Sequence, residues 1–306
     1  IKKQINDPLV LTLREKGKPV FLKINDKQLA VALKGVNVEN IPALMRGITY
    51  ITRLYASLHT RFNYEFAFSN NVRDVQEMMV DVASRKGMGF GAAGKALTKD
   101  PQSKKAVFDY LFGRDTEGAR LYQQMREDGG TTGGLGLSTQ EQVELDIETI
   151  RKLNRSKPRQ VALKAIEVVD KWNTLFEDAT RLSVYRTALE RGLSRNQAAF
   201  LDKESTVNFN KKGTAGPIIN GLYMFSNASI QGTTKILRAM KNPKVLFAVI
   251  ASVGGAVFAV NEWNEEVDPD WRDKVTKWDR SSNLTIMLPT EGEEVKYITV
   301  PISWGL

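Results

Sequence analysis

The stretch VALKAIEVVDKWNTLFEDATRLSVYRTALERG, Val161 to Gly192, decides the fold class. Its apolar residues Val161, Ala165, Val168, Trp172, Leu175, Ala179 and Leu182 recur at alternating spacings of 4 and 3, and Tyr185 and Leu189 carry the pattern to a stop at Gly192. That period puts them on one face of an α-helix. At about 1.5 Å per residue such a helix is roughly 50 Å long, and its apolar seam requires other helices to cover it.

The neighbouring sequence supplies them. Pro158 suits the first turn of this helix. Ser138 with Glu141 is a capping-box pattern for a preceding helix to about Arg155, and Ser194 with Gln197 is another for a following helix to about Val207. A second 4 and 3 seam runs through Leu44, Ile48, Ile51, Tyr55, Leu58 and Phe62, and two more helices are expected over 72–85 and 103–127. Between them, KGMGFGAAGK (Lys86 to Lys95) reads as a flexible glycine linker, and DGGTTGGLGLS (Asp128 to Ser138) as a hinge.

Strand-like alternation is confined to the two ends. LVLTLREKGKPVFLKIND (Leu9 to Asp26) folds back around Glu15 to Lys18, and LTIMLP and VKYITVP flank a turn at Glu291 and Gly292. The expected architecture is therefore mainly α, a bundle or assembly of long helices with small β-hairpins at both ends. A β element covers 1–36, a helical region 37–127, the hinge 128–138, a long-helix region 139–260 with apolar helices over 216–260, and an acidic segment with a strand pair 261–306. A chain that opens on Ile1 and stops at PISWGL reads as a fragment of a longer polypeptide.

The composition removes several chemistries. With no cysteine among 306 residues, disulfides, thiolate catalysis and Cys-ligated zinc or iron–sulfur clusters are excluded. The single histidine, His59, rules out multi-histidine zinc sites and reads as a packing or surface residue of a helix. Gly89, Gly94 and Lys95 match G-x-x-x-x-G-K, but a phosphate loop needs a strand before it and a hydroxyl after the lysine. A helix precedes here, and Ala96 stands in the hydroxyl position. The pairs Glu265–Glu266 and Asp268–Asp270 read as a solvated acidic loop. No catalytic residue, metal site or cofactor is expected, and the segment is expected not to be an enzyme.

Charge and hydropathy single out the remaining candidates. The chain carries +9 overall, yet residues 261–306 carry −5, leaving +14 on the first 260. Lys203, Lys211, Lys212, Lys235, Arg238, Lys241 and Lys244, against Glu204, are candidates to contact phosphate, in double-stranded DNA or in lipid headgroups. Val245 to Val260 has no charge over 16 residues, which is about 24 Å of helix and short of the ~20 residues a bilayer normally requires. Its Val245, Phe247, Ile250, Gly254, Gly255 and Phe258, with Trp263 beyond, are the candidate membrane-inserting residues. A second uncharged run, Thr214 to Thr234, has a polar stripe of Asn220, Asn227, Gln231 and Thr234. Spacing favours a buried helical core for both runs over a membrane-active hairpin.

Four segments resemble a known family. FNYEFAFSNNVRDVQEMM (Phe62 to Met79), EDATRLSVYRTALERGLSRNQAAF (Glu177 to Phe200), TVNFNKKGTAGPIINGLYMFSNASIQGTTKILRAMKNP (Thr206 to Pro243) and NLTIMLPTEGEEVKYITVPISWGL (Asn283 to Leu306) are similar to a large polyvalent protein-associated domain of giant phage polypeptides. The last hundred residues carry the specific part of the likeness. The resemblance implies an internal virion protein of a short-tailed phage, also called an ejection or pilot protein. Such a protein is stored in the capsid and expelled into the host periplasm or inner membrane ahead of the DNA. It implies a homo-oligomer, other ejection proteins as partners, and a non-enzymatic conduit-forming role in genome translocation. The rival expectation is a nucleic-acid-binding or scaffolding module of a giant virion-packaged enzyme such as a virion RNA polymerase.

Overall fold

The computed structural model describes residues 10–15, 18–23, 25, 64–131, 157–208, 226–290 and 295–303. The protein is mainly α. By its contacts the chain divides into two units, Ile1–Ser57 with Phe209–Asn227, and Leu58–Asn208 with Ala228–Leu306. In the first, strands β1 (Val10–Glu15) and β2 (Lys18–Lys23) pair antiparallel from Val10↔Lys23 to Glu15↔Lys18. The seam Leu44 to Phe62, His59, the helix expected over 139–155 and most of the 128–138 hinge lie outside the described residues.

The second unit is built on α4 (Lys157–Glu190), the long helix that the 4 and 3 spacing predicts. Its C-terminal half is the centre of the core, with Ala179, Leu182, Tyr185 and Ala188 almost fully buried. Towards its N-terminal half the same seam opens to solvent at Val168 and Trp172. Helices α1 (Tyr64–Ser84), α2 (Gly89–Leu111) and α5 (Arg195–Ser205) pack against α4, and α3 (Glu117–Glu127) packs on α2. The Ser194–Gln197 capping box forms as expected at the start of α5.

Two expectations need correction. KGMGFGAAGK is not a flexible linker but the turn and first two turns of α2, with Ala92, Ala93 and Ala96 wholly buried. Within this stretch glycine's conformational freedom is used at Gly87 and Gly89, whose φ angles are +84° and +72°. After that turn the small residues let α2 approach its neighbours closely. The turn is fastened from just past the end of α4, where the Arg191 guanidinium donates to the Gly87 and Met88 carbonyls at 3.2 and 2.9 Å. The helix expected over 103–127 is two helices, broken at Phe112 and Gly113 and restarted by Thr116, whose hydroxyl accepts from the Ala119 amide.

The chain then runs through α6 (Ser226–Ala239) and α7 (Pro243–Val267) to two short helices, α8 (Trp271–Lys274) and α9 (Lys277–Ser282). These lead into a hairpin, β3 (Asn283–Met287) against β4 (Tyr297–Pro301), in register from Asn283↔Pro301 to Met287↔Tyr297. Trp271, Val275 and Met287 form a small second core beneath it.

If α2 is a packed helix, overfilling its small-residue face must cost stability. Ala96→Leu is expected to destabilise the unit by about 1–3 kcal/mol, read as a lower thermal midpoint. An unchanged midpoint would restore the linker reading.

Candidate functional site

Helix α7 starts where Asn242 caps it, the side chain accepting from the Lys244 amide at 3.1 Å, with Pro243 in the first turn. It does not stop at Val260 but continues to Val267, so it is 25 residues long and about 37 Å from end to end. It is long and apolar enough to cross a bilayer. Only Val245 and Asn264 along its whole length are buried.

Within this chain the run Val245–Val260 is therefore not a buried core. Phe247 is 74% exposed, Ile250 61% and Phe258 67%, and Gly254 and Gly255 have nothing near the position a Cβ would take. Phe247, Ile250, Ala251, Gly254 and Phe258 follow one side of the helix, and Ala256 and Ala259 extend the exposed surface towards the other. The face of Leu246, Val249, Val253 and Val260 is half-buried, with Val249 against the helical core, so the exposed apolar surface is wider than a stripe cut to fit one protein groove. Two of the candidate membrane residues play other parts. Val245 is 1% exposed and packs into the helical core. Trp263 is half exposed, and its indole nitrogen donates to the Met287 carbonyl at 2.8 Å.

The C-terminal end of α7 is fixed to the hairpin by its own amide group. Buried Asn264 donates from Nδ2 to the Thr285 carbonyl at 2.7 Å and accepts the Met287 amide at 2.8 Å through Oδ1. Its carboxamide thus stands in for a peptide on the strand edge. Beyond β4, residues 301–303 lie along α1. Gln76 donates to the Pro301 carbonyl at 2.9 Å and accepts the Ser303 amide at 2.8 Å, and Arg73 donates to the Ile302 carbonyl at 3.2 Å.

The basic candidates separate when placed in three dimensions. Lys235 is not a surface cation: it is 7% exposed, and its ammonium lies 3.0 Å from the buried Glu77 carboxylate. The sign pattern of a single helix cannot reveal this, because the partner is 158 positions away. Lys203 is half buried beside Gly129. Arg238, Lys241 and Lys244 are exposed and lie at the N-terminal end of α7, whereas Lys211 and Lys212 lie outside the described residues. The polar stripe of the run Thr214 to Thr234 also has an internal use. Gln231 closes on the Asn208 backbone, accepting its amide and donating to its carbonyl at 2.8 Å each.

Behind this end of the unit lies a charged core that the sequence pattern does not reveal. Asp74, Glu77 and Asp81, one turn apart on α1, are all buried. The Arg181 guanidinium on α4 is fully buried, donating to the Thr206 hydroxyl at 2.8 Å and the Val207 carbonyl at 2.9 Å, with Glu177 3.0 Å away. Burial alone would lower its pKa, but Glu177, Asp178, Asp74 and Asp202 around it hold it above the ordinary value.

Asp178, Asp74 and Asp202 around it are raised too, which for them favours the neutral form. Burial raises Asp178 to about 6 against the pull of Arg181, and Tyr122 donates its hydroxyl to it at 2.5 Å. Burial also pushes Asp74 and Asp202 well above the carboxylate range. Asp202 packs so tightly on Gly130 that a side chain there would run into its carboxylate and lie 2.7 Å from Met125. Among the described residues no group of three or more histidines and acids is arranged to hold a metal ion.

Comparison of the chain with protein-family models, with curated proteins and with solved structures finds no match in any of the three.

The raised carboxylates fix the sign of the pH dependence. A group that titrates higher when folded contributes stability below its unfolded value and loses it as pH rises through its folded value, for Asp178 about 6. The groups held low, Asp128 by Arg195 and Glu190 by Lys99, lose their contribution only as pH falls through values below the ordinary carboxylate range. Unfolding free energy is therefore expected to be larger at pH 5 than at pH 7.5, by on the order of 1 kcal/mol or more. Asp202→Asn should reduce the difference. A profile that rises from pH 5 to 7.5 would contradict the assignment.

Proposed function

We propose that this chain is a structural, non-enzymatic segment of a short-tailed phage ejection protein, stored in the virion and expelled into the host. There α7 engages the inner membrane as part of a conduit for the genome. The resemblance of the four segments supports the phage setting. The observation that carries the membrane role is α7 itself, a helix of bilayer length left uncovered in water.

Magnitudes favour lipid over water for this helix. Removing Phe247, Ile250 and Phe258 from water is worth roughly 5–9 kcal/mol in all. The backbone costs little because an α-helix satisfies its own hydrogen bonds. From Lys244 to Glu262 the helix rises about 27 Å, close to the ~30 Å hydrocarbon core. The exposed cations Arg238, Lys241 and Lys244 would then meet one headgroup layer, favouring anionic lipid, and the acidic end with Glu262, Glu265 and Glu266 the other. The open end of the α4 seam at Val168 and Trp172 is the surface offered to another copy or to a partner ejection protein.

The nucleic-acid-binding alternative loses a central cation with the burial of Lys235. It predicts DNA affinity that collapses with salt, without lipid binding.

Purified protein should co-float with vesicles containing a quarter phosphatidylglycerol and release an entrapped dye. Gly254→Asp and Ala256→Asp lie where the fold is open to solvent, so they should leave the thermal midpoint in place. Each is expected to reduce leakage at least tenfold, since a central carboxylate costs about 2.5–3.5 kcal/mol. No vesicle binding by the parent protein, or full leakage by both variants, would refute the membrane role.

A further inference from the structure

Both flanks of α7 end on the same side chain. Lys235, eight residues before the helix, places its ammonium 3.0 Å from Oε2 of Glu77. Ser303, beyond the hairpin that follows the helix, donates its hydroxyl to Oε1 of the same carboxylate at 3.3 Å. All three residues are buried, at 5% exposure for Glu77, 7% for Lys235 and 4% for Ser303. Around them the Gln76 side chain clasps Pro301 and Ser303, and Arg73 holds Ile302.

We infer that Glu77 is a latch that keeps α7 out of the membrane until it is released. A spanning helix must put its two ends on opposite faces of the bilayer, about 30 Å apart. The C-terminal end of α7 is bound through Asn264 and Trp263 to the hairpin, and the hairpin through 301–303 to α1. The N-terminal flank is bound to α1 through Lys235, and to the rest of the unit through Gln231 on Asn208 and the buried Ala239 and Val245. While Glu77 holds both flanks, the ends of α7 remain on the side of the soluble core and the helix cannot traverse. Either Lys235 or the 301–303 strap must let go first.

The latch is suited to its task by its asymmetry. A buried ion pair contributes little net stability over an apolar pair, yet losing one partner leaves the other charge stranded. The contact is thus weak to open as a unit and specific in what it holds. It also lies apart from the α2–α4 packing that keeps the rest of the unit folded. The inference rests on the membrane reading of α7 for its purpose, but not for its existence.

The test is hydrogen–deuterium exchange on the full chain without lipid, comparing the parent protein with Glu77→Gln. Exchange in 226–242 and 295–303 should rise at least tenfold, with α2 and α3 (89–127) within twofold of the parent. No rise, or an equal rise in 89–127, would overturn the latch whatever the protein does with vesicles. If Glu77→Gln does not fold, Gln76→Ala with Ser303→Ala, which keeps the ion pair, should raise exchange in 295–303 at least threefold, and no rise would overturn it. Vesicle leakage by Glu77→Gln is then timed. A rate at least fivefold above the parent supports the latch as the control on insertion. Looser flanks with an unchanged rate would overturn the control, and parent protein that never binds vesicles would instead fail the membrane reading.

Discussion

An apolar helix that faces water can be kept in a folded chain only by what grips its ends, and here the grips converge on one face of α1. Glu77 takes Lys235 from one side and Ser303 from the other, and Gln76 and Arg73 bind the backbone between Pro301 and Ser303. That face, with Gln231 on Asn208 and the buried Ala239 and Val245, positions the chain from α6 to β4. The face in turn depends on α4, because Arg181 fills the space behind Asp74 and ties α4 to residues 206 and 207, where the chain leaves α5. A charged core is a costly way to hold helices together. It supplies geometry that an apolar core would not, since hydrogen bonds and ion pairs have direction.

The same charges divide the unit into parts of different firmness. The α2–α4 contact is made of alanines and is closely packed, the arrangement that resists opening best. The α1 contacts with α6 and the C-terminal strap are polar and few, the composition expected of a region that opens locally before the whole unfolds. An uncovered helix attached to the firm part through the less firm one is a physical basis for storage in one environment and use in another.

How much of this was legible in the sequence varies by element and for identifiable reasons. The 4 and 3 spacing predicts α4, and Ser194–Gln197 the start of α5, because large apolar residues and caps act locally. The C-terminal hairpin follows from its alternation. The first half of α2 reads as a linker because its glycines outweigh Ala92 and Ala96, which with Ser103 and Val107 do recur at helical spacing once small residues are counted as packing residues. The roles of Lys235, Glu77 and Arg181 were not legible, because a buried ion pair is defined by partners far apart in the chain. The exposure of α7 was equally hidden: its composition suits a core or a bilayer, and only the fold shows that protein leaves it bare.

The central claim is that α7 is left largely bare because lipid, and not a protein groove, is its other environment. The chain contains no cysteine, so nitroxide labels can be placed singly through Ile250→Cys, Ala251→Cys, Gly254→Cys, Ala256→Cys and Ala259→Cys, all exposed positions spread round the helix. Electron paramagnetic resonance then compares collisions with oxygen, which concentrates in hydrocarbon, against collisions with a water-soluble nickel chelate as anionic vesicles are added. The account predicts that oxygen collisions rise and nickel collisions fall at all five positions, most strongly near Gly254. Protection at alternate turns only, with one side of the helix still open to the nickel chelate, would mean that α7 docks on a surface instead of entering the bilayer, and would contradict it.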